Sequence, residues 1–326
     1  MKALVTGGTG FTGRHLIARL ISEGNEVRVL ARKKDPELEK LRVEFILGDI
    51  TDKEVVYKSV ERVDKVYHLA AVFREGGGIP NKVFWDVNVN ATKNLLEASL
   101  QNGVERFIHC STCGVLGHIS KPPANETYPY NPGDEYQRTK CEAEKIALDF
   151  FQKKGLPGVV VRPAAIYGPG DLRFLRLFKA INDGKFITVG SGEVLNHHVY
   201  VDDLVEGIML CAKEKQALGE IYIIGGEEYV TLNKLVFMIA KELNVPVPKI
   251  HFPFFWPVWA ASFACEIICW PFGINPPIFR RRADIFRKSR AFDISKARKE
   301  LGFKPKIALN EGIKKTVEWY RKEEYL

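Results

Sequence analysis

The stretch from His109 to His118, "HCSTCGVLGH", gathers two cysteines, two histidines, a serine and a threonine in ten residues. Read alone, it offers a metal site or a redox dithiol. A structural zinc site needs four ligands, usually completed by a second Cys/His pair at matching spacing. The chain has no such pair. A thioredoxin-like Cys-x-x-Cys belongs at a helix N-terminus, whereas Cys110 closes an apolar, strand-like run, "RFIHC". No metal is therefore expected. What the stretch is for, with Ser111 and Thr112 between its cysteines, the rest of the chain has to decide.

A second grouping, "VTGGTGFTGRHL", spaces Gly7, Gly10 and Gly13 as G-x-x-G-x-x-G between an apolar run and a helical one. A dinucleotide requires such a loop. The turn must be tight, the backbone must approach the pyrophosphate, and the helix start at Phe11 and Thr12 must offer free N–H groups and its positive dipole end. An NAD site commonly has an acid about 20 residues further on. Here the next strand ends "VLARKKD", with Ala31 followed by Arg32, Lys33 and Lys34. Cations suit a 2′-phosphate, so NADP is expected over NAD. A third grouping, "EYQRTKCEAEKIA", sets Tyr136 and Lys140 at i, i+4, on one face of a helix. The lysine cation can stabilise a phenolate. The tyrosine can then exchange a proton with an alcohol–carbonyl pair while a nicotinamide carries the hydride.

These groups need a scaffold. "KALVTG", "EVRVLAR", "VEFILGD", "KVYHLAAV", "RFIHCST" and "GVVVRPA" are short apolar strands, and helical segments separate them at Lys53–Val60, Val87–Asn102 and Tyr136–Lys154. Strand–helix alternation with continuous apolar strands predicts an α/β, doubly wound parallel sheet, a Rossmann fold. Its ligands sit beyond the carboxyl ends of the strands. After Pro163 the pattern loosens, with "HHVYVDDLVEGIMLCA" and "EIYIIGG" returning to strand or helix character. The expected division is a dinucleotide-binding domain over 1–167, with 198–226 adding to the sheet, and a smaller, interleaved substrate lobe over 168–197 and 227–326.

The 326 residues carry a net charge of +8, with 46% hydrophobic and 27% charged residues. The densest basic run (Arg280, Arg281, Arg282, Arg287, Lys288, Arg290) has no interleaved aromatics, so it reads as a solvated face and no nucleic-acid partner is expected. Six cysteines are too few for a disulfide framework, and "MKALVTGG" runs straight into a strand, so the expected location is cytoplasmic. The apolar stretch 252–274 is cut by Pro253, Pro257 and Pro271 and contains Glu266. A helix from Val258 to Trp270 would be roughly 20 Å long, against roughly 30 Å of hydrocarbon. A buried helix, a substrate wall or an interfacial patch fits better than a span, and peripheral membrane contact is the strongest membrane role it allows.

Taken together, Thr6-Gly7-x-x-Gly10-x-x-Gly13, Gly48-Asp49, His68-Leu69-Ala70-Ala71, Tyr136-x-x-x-Lys140, Arg162-Pro163-x-x-x-Tyr167-Gly168-Pro169 and Val201-Asp202-Asp203 resemble the extended short-chain dehydrogenase/reductase family. The likeness reaches "ARKELGFKPK" and "GIKKTVEWY" near the end. It implies that Asp49 and Ile50 flank the adenine, that Leu69, Ala70 and Ala71 line the cofactor, and that Pro163 to Ile166 border the nicotinamide. Lys140 would also hold the nicotinamide ribose, and Cys110 would touch the cofactor. Asn88 matches an asparagine that supports the active site. Thr112, 24 positions before Tyr136, matches the Ser/Thr that hydrogen-bonds the substrate oxygen. Helices Val87–Asn102 and Tyr136–Lys154 form the homodimer interface in many such relatives.

Departures from that pattern narrow the reaction. Related dehydratases carry Asp-Glu after the catalytic Thr, and Cys113-Gly114 stand there instead. Sugar-nucleotide enzymes usually have an Asn where this chain has Ala165, and often an Arg where it has Asn196. Phe252, Phe254, Phe255, Trp256, Trp259, Phe263 and Trp270 suit an apolar or aromatic substrate better than a sugar diphosphate. "FRKSRAFDISKARKELGF" resembles the 3β-hydroxysteroid dehydrogenase and dihydroflavonol reductase branches. The expected activity is an NADP-dependent ketone–alcohol oxidoreductase on a steroid-, flavonoid- or lipid-like substrate. Nucleotide-sugar epimerisation or reduction is the alternative, and a non-catalytic NADP-binding scaffold a third. His197 and His198 are expected to pack or hydrogen-bond locally, Cys265 and Cys269 to fill core space, and Asp202 and Asp203 to cap the helix that follows them.

Overall fold

The apolar runs of the first half are strands in the computed structural model, which describes residues 1–73, 79–269 and 283–326. They are β1 (Lys2–Thr6), β2 (Glu26–Ala31), β3 (Glu44–Leu47), β4 (Lys65–His68), β5 (Arg106–Cys110) and β6 (Gly158–Pro163). Three further strands, β7 (Ala165–Tyr167), β8 (Thr188–Val189) and β9 (Leu195–Tyr200), precede β10 (Ile221–Ile224). Seven of these form one parallel sheet in the order β10-β6-β5-β4-β1-β2-β3. The chain winds outward from β1 in both directions, so a crevice opens where β1 and β4 diverge. Helices cover both faces. Val5, Val29, Ile108 and Val161 pack in one core cluster, and Leu4, Val66, Phe107 and Val160 in another. Alternate residues of each strand thus go to opposite faces, and both faces are apolar.

Two strand arginines, Arg28 and Arg106, are buried and each donates to carbonyls at a helix end. Arg28 donates to the carbonyls of Ser59 and Glu61 at the end of α3 (Lys53–Val60). Arg106 donates to those of Cys211 and Glu214 at the end of α8 (Val201–Lys213). A cation there meets both the unpaired carbonyls and the negative end of the helix dipole. The other helices of this half are α1 (Phe11–Ser22), α2 (Pro36–Lys40), α4 (Asn81–Trp85), α5 (Ala91–Gln101) and α6 (Glu135–Gln152).

The predicted helix Val87–Asn102 starts earlier and is not uniform. It runs from α4 through a π-helical turn at Asp86–Asn90 into α5. A π-turn rotates the side chains that follow an ordinary turn, and such turns recur at functional sites. Here Asn88 is buried inside it. Within 198–226, β10 joins the main sheet and α8 packs on it, whereas β9 lies in a three-stranded sheet with β7 and β11 (Tyr229–Thr231). The lobe packs α7 (Leu175–Asn182), α9 (Leu232–Leu243) and the last helix around Phe178, Ile181, Leu235, Ile239, Ile313 and Tyr320. Beyond α9 come β12 (His251–Phe252), paired with β8, then α10 (Phe255–Cys269), α11 (Ser295–Leu301) and α12 (Leu309–Lys322).

Two expectations are corrected. Asp202 and Asp203 do not cap α8, whose N-cap residue is Tyr200 with no side-chain bond. Asp203 instead accepts from the backbone N–H groups of Lys306 and Ile307, and Asp202 pairs with His15 at 2.9 Å. Cys265 and Cys269 are not core residues, because α10 is not packed into the core. Ser262 is its only buried residue, and Trp256 and Ile268 are 67% and 65% exposed. Trp270 and the remainder of 252–274, like Arg280, Arg281 and Arg282, lie outside the described residues.

A buried ion pair ties α6 to β6. The Arg162 guanidinium on β6 donates to Glu144 on α6 at 2.6 Å, and both side chains are fully buried. Removing one partner of such a pair strands the other charge, at a cost of about 3–5 kcal/mol. Glu144→Ala is therefore expected to lower unfolding free energy by about that amount in urea denaturation, with surface changes such as Lys145→Ala leaving the midpoint within error.

Candidate active site

The glycine loop follows β1 and opens α1, and the structure explains each glycine by contact. Gly7 has φ +72°, and a Cβ there would lie 2.7 Å from the Ala70 nitrogen. A Cβ on Gly13 would lie 2.3 Å from the Gly7 carbonyl oxygen. Gly10 is the N-cap residue of α1 and brings no side-chain cap bond. The N–H groups at Phe11 and Thr12, both half-buried, therefore open the helix without a side chain over them. This bare, tightly turned helix start fits a dinucleotide pyrophosphate.

The loop is braced from below. The Thr6 hydroxyl contacts His68 Nδ1 at 2.7 Å and accepts from the Ala70 N–H. His68 Nε2 contacts the Thr92 hydroxyl at 2.8 Å, and that hydroxyl donates to the Asn88 carbonyl. Thr92 has one hydrogen and gives it away, so His68 must donate through Nε2 and accept at Nδ1. Burial, helped by the nearby Lys140 charge, pushes the His68 pKa down to about 3. The histidine is thus a neutral strut under Leu69, Ala70 and Ala71. Thr6 and Thr92 were not legible as site residues, because their roles depend on which hydroxyl faces the ring.

At the adenine end, Asp49 follows β3, with half-buried Ile50 beside it. Its carboxylate accepts from the Thr51 N–H and hydroxyl, and those bonds with the Arg32 charge lower its pKa. Arg32 and Lys33, past the end of β2, are exposed, while Lys34 turns to Glu39 at 3.1 Å. The first carboxylate after β2 is Asp35. It is buried, caps α2, and pairs with Arg14 at 2.6 Å. Arg14 also donates to the Thr9 carbonyl, so a second cation flanks the loop. Its position one residue after Gly13 was the available signal.

The reacting end lies past β5 and β6. Lys140 is buried and its ammonium donates to the Cys110 carbonyl at 2.7 Å. Burial lowers the lysine pKa, with Glu144 opposing. Tyr136, one turn earlier on α6, is half-buried, and the Phe73 ring meets it edge-on at 5.1 Å. Thr112 is half-buried, and its Oγ1 accepts from the Gly114 N–H at 3.0 Å. That bond engages a lone pair and leaves the hydroxyl hydrogen available to a substrate oxygen. The Asn88 amide accepts from the Val72 N–H and donates to the Val72 carbonyl and the Thr139 hydroxyl. It locks the strand-end loop to the helix bearing Tyr136 and Lys140. Pro163 is buried at the end of β6, and Ile166 is half-buried on β7.

The cysteines are inert here. Cys113 is buried against the Arg162 carbonyl, burial pushes its thiol well above the usual value, and the Cys110 thiol is also raised. All six thiols are free. Among the described residues no group of His, Cys, Asp and Glu gathers to hold a metal. His109 on β5 is buried against His68, with ring centroids 5.5 Å apart. His197 donates to the Gly226 carbonyl and accepts from the Phe292 N–H, a local structural role, as its sequence position suggested.

Residues 3–225 match the model of the NAD dependent epimerase/dehydratase family. The chain is 29% identical to a 3-beta-hydroxysteroid dehydrogenase of Mycolicibacterium neoaurum, across 98% of this chain and 91% of the relative. It is 28% identical to an N-acetyl-alpha-D-glucosaminyl-diphospho-ditrans,octacis-undecaprenol 4-epimerase of Escherichia coli O157:H7, across 98% and 95%. Its fold superposes on a UDP-glucuronic acid 4-epimerase from Bacillus cereus, solved in complex with NAD, with a TM-score of 0.80, 26% identity and full coverage of both chains.

Two outcomes follow. Gly13→Ala has no room beside the Gly7 carbonyl, so the variant should lose dinucleotide binding in fluorescence titration. The buried histidines set an acid limit. His68 is pushed to about 3 and His198 to about 4, and His109 is well below its ordinary value, all by burial. Each is neutral in the fold but takes a proton in the unfolded chain below about 6.5. Stability should thus be full above pH 7 and fall by about 2 kcal/mol for each of His68 and His198 by pH 5, with His109 acting in the same direction. Thermal unfolding across pH 5–8 measures this. His68→Gln should flatten the slope.

Proposed function

The chain belongs to the NAD dependent epimerase/dehydratase family as an extended short-chain dehydrogenase/reductase, and from that premise we propose that it interconverts a ketone and an alcohol on an apolar substrate. The observation that carries this is the apolar character of the residues at the reacting end. Phe73 lies edge-on to its ring. Ala165 offers an exposed methyl where a sugar-diphosphate enzyme would hold its substrate with an amide. Cys113 and Gly114 leave no acid for elimination beside Thr112. The steroid dehydrogenase relative supports the same substrate class.

The residues present fit a dinucleotide: the glycine cradle for the pyrophosphate, Asp49 and Ile50 for the adenosine, Leu69 to Ala71 and Cys110 along its length, Pro163 to Ile166 at the nicotinamide. The bound cofactor would supply or accept the hydride. The chain's own part is proton handling. Thr112 donates a hydrogen bond to the substrate oxygen, which fixes it beside the Tyr136 hydroxyl. Tyr136 gives that oxygen its proton in reduction and takes it back in oxidation. Lys140 has one N–H on the Cys110 carbonyl and two left for the phenol and the ribose. Asn88 keeps the helix and the cofactor loop in register.

NADP is the favoured form. The NAD-bound relative supports dinucleotide use in general, but here Asp35 is already engaged by Arg14, and Arg32 and Lys33 face solvent beside Asp49. The second reading, epimerisation of a sugar, is supported by the E. coli relative, whose named substrate joins a sugar to a polyprenyl diphosphate. A homodimer through the helices that span Val87–Asn102 and Tyr136–Lys154 completes the reading.

A panel of steroid, flavonoid, aldehyde and sugar-nucleotide substrates, followed by NADPH absorbance, tests the substrate class. Turnover only with UDP-sugars would replace the first reading by the second. On the substrate so found, Tyr136→Phe should lower kcat by about 10²- to 10⁴-fold with NADPH affinity unchanged. Unchanged turnover would end the proposed chemistry. Arg32→Ala should weaken NADPH by about tenfold, the worth of one charge-assisted bond, and leave NADH unaltered.

A further inference from the structure

α10 is apolar apart from Ser262 and Glu266, yet packs little of itself away. Phe254, Trp256, Ile267 and Ile268 are each more than half exposed, and Ser262 is the only buried residue of the helix. A helix that is hydrophobic all round belongs in a core or in lipid, and an exposed apolar patch marks a contact site. Deepening the apolar-substrate reading above and resting on it for its purpose, we propose that α10 docks the protein onto an anionic lipid surface.

Length, chemistry and charge support that occupant. Fifteen residues make a helix of about 22 Å, too short for roughly 30 Å of hydrocarbon, and no helix among the described residues is long and apolar enough to cross a membrane. It therefore lies in the headgroup boundary. Trp256 and Trp259 meet edge-on at 5.6 Å, and Trp259 stacks on Phe263; tryptophan prefers that boundary. The Arg287 guanidinium lies 5.4 Å from the Phe255 ring centre. From Lys249 to Arg290 the sequence has seven cations and two carboxylates, so +5 of the chain's +8 lies within this stretch. Anionic headgroups attract such a segment.

Residues 287–289 link α10 to the reacting end. Lys288 reaches Gly133, three residues before Tyr136, where a Cβ would stand 3.3 Å from its ammonium. The Ser289 carbonyl accepts from the Ile119 N–H, and its hydroxyl from the Leu195 N–H. With Arg287 on the Phe255 ring and Lys288 beside Gly133, docking through α10 would carry the end of α6 that bears Tyr136 toward the lipid, where an apolar alcohol or ketone is dissolved.

Cosedimentation of the full chain with vesicles tests this. Phosphatidylcholine vesicles containing about a third phosphatidylglycerol, an anionic content of the kind that attracts basic segments, should pellet most of the protein. Pure phosphatidylcholine should pellet little. The double variant Ile267→Gln, Ile268→Gln should bind the anionic vesicles at least tenfold more weakly while its NADPH affinity stays that of the wild type. Wild-type protein left in the supernatant would overturn the proposal. So would a variant that pellets equally, or concentration-dependent self-association that the variant abolishes without any vesicle binding. Vesicle binding without NADPH binding would sink the enzymatic reading and leave the docking surface standing.

Discussion

A carboxylate with no exposure to water organises the reacting end of this protein. Glu144 accepts from Arg162, from the Tyr130 hydroxyl at 2.8 Å and from the Ser111 hydroxyl. An isolated buried carboxylate would be prohibitively unfavourable, so each of these donors is held where the carboxylate is. Ser111 follows β5 next to Thr112, Glu144 sits one turn past Lys140, and Arg162 stands before Pro163. One desolvated charge thus fixes the relative positions of the strand tip, the catalytic helix and the nicotinamide wall. It also draws in the 117–134 segment, through Tyr130 and through the Glu126 carbonyl that Arg162 bonds.

The cofactor end is ordered by closeness instead of charge. Gly7 against Ala70 and Gly13 against Gly7 leave no space for a methyl, so β1, α1 and the loop after β4 form one surface. Beneath it, Thr6, His68, Thr92 and Asn88 make a fully assigned hydrogen-bond chain that ends at Val72 and Thr139. Asn88 belongs to both systems. The π-turn that carries it is the local distortion that lets one amide face the cofactor loop and α6 together. Burial keeps the histidine of this chain neutral, which suits a strut and disqualifies it as an acid or base near neutral pH.

Family membership establishes the fold and the kind of enzyme, and leaves the substrate to the lobe. There the relatives diverge, a steroid in one case and a polyprenyl-linked sugar in another. The two named substrates share an apolar body, as the exposed aromatics of α10 and the bare methyl of Ala165 would ask. If the proposed apolar substrate comes from lipid, it needs an apolar approach as well as an apolar pocket, and α10, exposed among the described residues of the lobe, would supply a surface for it.

The sequence by itself determined the parallel sheet, the glycine loop, the Tyr136–Lys140 pair and the missing acid after β2. Those features are local: apolar periodicity, fixed short spacings and residue type at a strand end decide them without reference to distant chain. It also pointed to Thr112 and Asn88, but only through resemblance. Tertiary structure decided what depends on partners far apart in sequence. Glu144 and Arg162 lie 18 residues apart, Thr6 and His68 62, and Asp203 and Lys306 103, and no periodicity announces which polar side chain a fold will bury against which. For the same reason Asp203 looked like a helix cap and is a tie to the C-terminal segment. The cysteines of α10 looked like core, because an apolar run does not say whether protein covers it.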